Sequence, residues 1–140
     1  MKRKILFFLV LFLLLPILNI KAQLLENIII SEVMHGIKED GKNYRSCEFI
    51  ELYNPSSQEI NLKELKIQII TSTGSSTSPH LTWKTNIIKK NSYFLIVNEK
   101  CDKTKNYSQL ISLADATYSA FLSEEGGVRI IKNDGEILDE

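Results

Sequence analysis

Ile29-Ile30-Ser31-Glu32-Val33-Met34 and, beyond residues 35–46, Cys47-Glu48-Phe49-Ile50-Glu51-Leu52-Tyr53-Asn54-Pro55 decide the fold of this chain. Both stretches are short and rich in β-branched or aromatic residues, which is the composition of strands. Pro55 closes the second, because its fixed φ and missing N–H cannot continue a ladder, and Asn54-Pro55-Ser56-Ser57 therefore reads as a turn. Strand alternation also sorts the acids. Glu48 shares a face with Ile50 and Leu52, whereas Glu51 shares the other with Phe49 and Tyr53.

The same pattern repeats outward. Strands are expected over Ile28–Val33, Cys47–Tyr53, Ile60–Leu62, Leu65–Ile70, Leu81–Thr85, Tyr93–Val97 and Gly127–Lys132, with a last fragment from Glu136. Asn133-Asp134-Gly135 is a tight hairpin whose glycine supplies a positive φ. Thr71 to Pro79 is a polar loop. Residues 104–123 carry a mixed signal: Leu110, Leu113, Ala114 and Phe121 suit a helical face, Thr117-Tyr118 suit extended chain, and at most one turn of helix is expected. Many short strands with turn signals between them make a two-sheet, mostly antiparallel β sandwich.

Ahead of this lies an export signal. Lys2-Arg3-Lys4 is a basic start, Ile5 to Leu18 is an apolar run interrupted by Pro16, and Ala22 offers a small residue at the cut, so residues 1–22 read as a signal peptide and 23–140 as one domain. The run is shorter than the ~20 residues of a membrane span, so no stable span is expected after cleavage. The leader holds four basic residues and no acid, which leaves 13 basic against 17 acidic residues in the remainder, net −4. Nucleic acids are bound mainly by neutralising phosphates, so this balance disfavours them as partners. Export exposes Cys47 and Cys101 to an oxidising compartment, where two readings stand: a disulfide, worth roughly 4 kcal/mol on the chain-entropy model for a loop of about 55 residues, or two buried thiols.

The chain resembles the lamin tail domain family, in the form that bacteria place on secreted and cell-surface proteins. The likeness rests on Ile30 to Val33, Glu48 to Pro55, Asn61-Leu62, Tyr93 to Val97, and Gly127 to Ile131 with Asn133-Asp134-Gly135. It implies an immunoglobulin-like sandwich and a role in tethering or recruiting partners, often beside secreted nucleases, phosphoesterases or adhesive modules. The chain departs from the family in Glu64-Leu65, where a Gly-Trp pair is frequent, and in a closing strand cut short at Glu140. A truncated last strand is expected to leave an open sheet edge able to pair with another chain.

Catalysis has few starting materials. Glu32, Glu48 and Glu51 with His35 are the candidate acids and base, but carboxylates on opposite faces of a strand cannot share one ligand. Glu32, Glu48, Glu51, Asn54 and Pro55 therefore read as a structural motif, in which Glu32 can approach one of the other two acids and a partly buried Glu caps backbone donors at a sandwich corner. The motifs of zinc, redox, hydrolase and nucleotide sites are missing, His80 reads as a loop residue, and no cofactor, metal or catalytic residue is assigned. The expectation is a secreted or envelope-located interaction module, not an enzyme, whose partner is a protein or cell-surface component. Loops 35–46, 71–80 and 101–109 are its expected contacts. Competing readings are a glycan-binding module, which needs Trp83 or a tyrosine flat on the surface, and a nucleic-acid module, which needs Lys84, Lys89, Lys90, Lys100, Lys103 and Lys105 on one face. Trp83, Tyr53, Tyr93 and Phe94 are otherwise assigned to core packing.

Overall fold

A computed structural model describes residues 28–39, 42–44, 47–103 and 108–140. The leader and its cut after Ala22 lie outside these residues, as does Lys105. The chain forms strands β1 (Ile29–Met34), β2 (Ile37–Glu39), β3 (Lys42–Tyr44), β4 (Phe49–Asn54), β5 (Ile60–Asn61), β6 (Leu65–Ile70), β7 (Ser76–Thr77), β8 (Leu81–Trp83), β9 (Ile87–Ile88), β10 (Ser92–Asn98), β11 (Ala116–Tyr118), β12 (Gly127–Lys132) and β13 (Ile137–Asp139). One short helix, α1 (Ser108–Leu113), precedes β11, and 3-10 turns cover Leu62–Glu64 and Glu99–Lys103.

A five-stranded sheet runs in the order β1-β4-β10-β11-β8, and a four-stranded sheet in the order β13-β12-β6-β7. Alternation drives their packing. Ile50 and Leu52 of β4, Phe94 and Ile96 of β10, and Ala116 and Tyr118 of β11 meet Leu65, Ile67 and Ile69 of β6 and Val128 and Ile130 of β12 in one buried core. The fold is thus an immunoglobulin-like β sandwich. Leu65, which stands where a larger aromatic was expected, is itself buried in that core.

β10 and β11 are parallel, against the antiparallel rule of the other pairs. Parallel neighbours need a long crossover, and its described parts, residues 99–103 and 108–115, lie on the outer face of the five-stranded sheet. There Cys101, Leu110, Ile111 and Ala114 pack on Phe49, Leu95 and Val97 in a second apolar cluster. This burial explains why α1 runs past the single turn expected, to six residues. The helix turns Leu110 and Ile111 inward, while Leu113, expected on its buried face, is 69% exposed.

Sequence reading also missed short elements. Between β1 and β4, β2 pairs with β3, the loop at 71–80 holds β7, and β9 pairs with β5. Each pairs over two or three residues, too few for a periodicity to show. The turn at 133–135 is a three-residue hairpin loop: Gly135 has φ +98° and donates its N–H to the Lys132 carbonyl at 3.0 Å.

Candidate functional site

The motif acids separate into two places. Glu48 is fully buried on the inner face at the start of β4. Its Oε2 accepts the Leu122 backbone N–H at 2.8 Å and lies 3.5 Å from the Asn98 amide nitrogen. The same Asn98 amide donates to the Ala120 carbonyl at 2.7 Å. Glu48 and Asn98 therefore hold residues 120–122, where the chain leaves β11 for the other sheet, and satisfy backbone groups that water cannot reach. His35 joins this corner: its Nε2 is 3.1 Å from the Leu122 carbonyl and 3.7 Å from Glu48 Oε1. A carbonyl only accepts, which assigns the proton to Nε2.

Tyr118 completes the corner from β11. Its hydroxyl is buried beside the Asn98 side chain but makes no hydrogen bond of good geometry to it. Burial pushes its pKa well above the ordinary value, the Glu48 carboxylate pushes it further, and the Asn98 side chain partly opposes both.

Glu32 and Glu51 lie elsewhere. They face each other across β1 and β4, on the outer surface of the sheet, and Glu51 Oε1 accepts from the Ser31 hydroxyl at 2.7 Å. Among the described residues no group of three or more His, Cys, Asp or Glu is arranged to hold a metal ion. Asn54 is a buried clamp: its amide nitrogen donates to Gln58 O at 2.7 Å and Lys89 O at 3.0 Å, and its Oδ1 accepts from Ser56 N at 2.9 Å. Pro55 sits exposed at the turn this clamp ties to the end of β9.

Cys47 and Cys101 are joined as a disulfide with Cα atoms 4.4 Å apart. The bridge fastens the crossover to the outer face of the sheet beside Val97. Among the described residues, the crossover covers one end of that face. At the other end Ile29, Tyr53 and Tyr93 stand in register across β1, β4 and β10. The two tyrosine rings pack with centroids 4.7 Å apart, and Tyr93 is 60% exposed. The core packing expected of Tyr93 is corrected by the structure, because its place on β10 points away from the sandwich, as Phe94 points into it. Trp83 is half-buried and packs 6.0 Å from Phe94.

Two of the lysines of the basic-face reading, Lys84 and Lys100, are engaged locally. Lys84 Nζ donates to the Ile111 and Ser112 carbonyls at 2.6 and 3.0 Å, where α1 ends, and Lys100 Nζ lies 4.4 Å over the Phe121 ring. A different cationic surface borders a cleft of about 290 Å³ beside β8, lined by Trp83, Leu81, His80, Lys63 and Lys66 among others. Sequence reading found neither this cleft nor the roles of Asn98 and Lys84. The one available signal was an asparagine ending the apolar run Tyr93–Val97.

The arrangement is one of clamps and exposed faces: buried polar groups fix corners, and apolar rows are left at the surface. No curated protein matches the chain. The Lamin Tail Domain family model matches residues 22–140 and therefore nearly the whole chain, which belongs to the lamin tail domain family, an immunoglobulin-like interaction module.

Proposed function

We propose that this chain is an exported, non-catalytic member of the bacterial secreted type that tethers or recruits a partner protein at the cell surface or envelope. The outer-face row Ile29–Tyr53–Tyr93, with Ile29 and Tyr93 exposed and Tyr53 half-buried between them, carries the reading. Aromatic side chains held rigidly on a sheet give large contact area at little cost in conformational entropy, the property of binding hot spots. The Cys47–Cys101 bridge supports export, since disulfides persist in oxidising compartments. Glu48 and His35 are occupied by the backbone of residue 122, which supports a role without catalysis.

The test is retention. The full chain carrying a reporter is expressed in a bacterial host, and the reporter is followed in envelope and medium fractions. Envelope retention that falls in Tyr53→Ala and Tyr93→Ala supports the proposal; reporter confined to the cytoplasm, or retention unmoved by both substitutions, overturns it. A second reading, a glycan-binding module, is favoured by the same tyrosine pair, with Tyr93 exposed, beside Glu51 and Ser31, because sugar rings stack on aromatic faces. Retention abolished by soluble envelope polysaccharide but not by protease treatment of the envelope selects it.

A further inference from the structure

The two open sides of the sandwich differ. On one side β1 and β13 approach each other, and the Ile30 N–H donates to Asp139 Oδ2 at 2.6 Å. Both strands carry an irregularity there, β1 between Ile30 and Glu32 and β13 opposite Ile130–Ile131. Bulges and a side chain capping a free donor are the ordinary devices that stop an edge from recruiting another strand. The open edge expected at the short last strand is therefore blunted.

At the opposite side, among the described residues, β8 carries neither a bulge nor a side chain capping a free donor. β8 is the last strand of its sheet. Lys84 N–H donates to the Asp115 carbonyl at 2.9 Å, so in the antiparallel register that pairs Trp83 with Ala116 the main chain of residues 82 and 84 faces β11. Main-chain groups alternate sides along a strand, so Leu81 and Trp83 present theirs at the free edge. The cleft runs along this edge. Its floor is Leu81, Trp83, Leu65 and Ile67, its rim includes Lys63, Lys66 and His80, and no carboxylate lines it. Its volume of about 290 Å³ suits a few side chains.

From this juxtaposition we infer that β8 is a docking edge for an acidic, extended peptide segment of a partner protein. The added strand pairs with the main chain of Leu81 and Trp83, sets apolar side chains on the Trp83 ring, and brings carboxylates to Lys63 and Lys66. Backbone pairing supplies affinity, and the pockets for alternate side chains supply selection. The charge argues for an acidic partner against a second copy of this chain, because β8 meeting β8 would bring the same lysines together. The inference rests on the interaction-module reading and names a partner class for it, at a surface separate from the tyrosine row.

Trp83 is the single tryptophan of the chain, which makes its fluorescence a direct reporter. The full chain is titrated with a short peptide of alternating valine and glutamate, with its valine–lysine counterpart, and with a version interrupted by proline. Amide hydrogen exchange is measured alongside. Expected are a saturable Trp83 response to the acidic peptide, at least about tenfold slower exchange at the Leu81 and Trp83 amides, and about tenfold weaker binding in Lys63→Glu/Lys66→Glu with an unchanged melting temperature. The proline version does not bind. Equal binding of the basic peptide, protection at β1 or β13 instead of β8, concentration-dependent dimerisation through β8, or a polyuronate filling the cleft without protecting the two amides each overturns the inference. Envelope retention lost only with the tyrosine substitutions would sink this inference and leave the broader function standing.

Discussion

Asp139 reaches from β13 across the side of the sandwich and accepts the backbone N–H of Ile30 in β1 at 2.6 Å. One carboxylate thus joins the edges of two sheets that share no ladder. A charge-assisted hydrogen bond of this type contributes about 1–2 kcal/mol when partly buried. Asp139→Ala is expected to destabilise by about that amount and to speed exchange of the Ile30 amide, with Asp139→Asn in between because it keeps an acceptor. Unchanged protection at Ile30 in the alanine variant would refute the role.

Glu48 has a sharper dependence on chemistry. Removing it leaves the buried Leu122 N–H without its acceptor. Glu48→Ala is expected to lose about 2–4 kcal/mol in urea denaturation, from the orphaned donor and the vacated volume. Glu48→Gln keeps an acceptor oxygen and loses roughly half as much. Equal losses in the two variants would mean that packing, not the hydrogen bond, holds the corner.

Tyr118 gives the chain an alkaline limit. Its folded-state pKa is raised above the ordinary 10.0 by burial first and by Glu48 second. The folded protein therefore holds this proton where the unfolded chain releases it, so the stabilisation is complete below pH 10 and is lost as pH rises through the window above it. Tyr118→Phe removes that slope. Because the hydroxyl makes no well-formed hydrogen bond, the substitution costs less than about 1 kcal/mol at neutral pH. Denaturation midpoints of both proteins between neutral pH and strong alkali read the difference directly.

Gly126 and Gly127 look alike in sequence and differ in space. A Cβ on Gly126 would overlap the Ile70 carbonyl, whereas one on Gly127 meets only the Ile70 Cδ1 at 4.0 Å. Gly126→Ala is expected to destabilise by about 2 kcal/mol or more, and Gly127→Ala by less than about 1 kcal/mol. A comparison of thermal midpoints checks the ordering.

The disulfide holds the crossover against the sheet. Cys101→Ser is expected to cost about 2–4 kcal/mol. It should also increase hydrogen exchange in Ser108–Leu113 more than in β6 or β12. Uniform loss of protection across both sheets would show that the bridge stabilises the whole domain and not the crossover in particular.

Alternation alone was enough to read β6 and β12 to the residue, and to put Glu48 on one face with Ile50 and Leu52 and Glu51 on the other with Tyr53. Those readings hold because a strand's side-chain period is fixed by its backbone, wherever the strand lies. Pro55 and Gly135 were legible for the same local reason: one restricts φ and the other permits a positive φ. Local chemistry could not say which outer faces would be covered. Tyr93 is exposed and Val97 buried on the same face of the same strand, because a crossover fastened by Cys47–Cys101 lies over one and stops short of the other. Nor could it reveal that Asp139 would seal one side while β8 stayed open. Both depend on contacts between residues far apart in the chain, and such contacts exist only once the two sheets have packed.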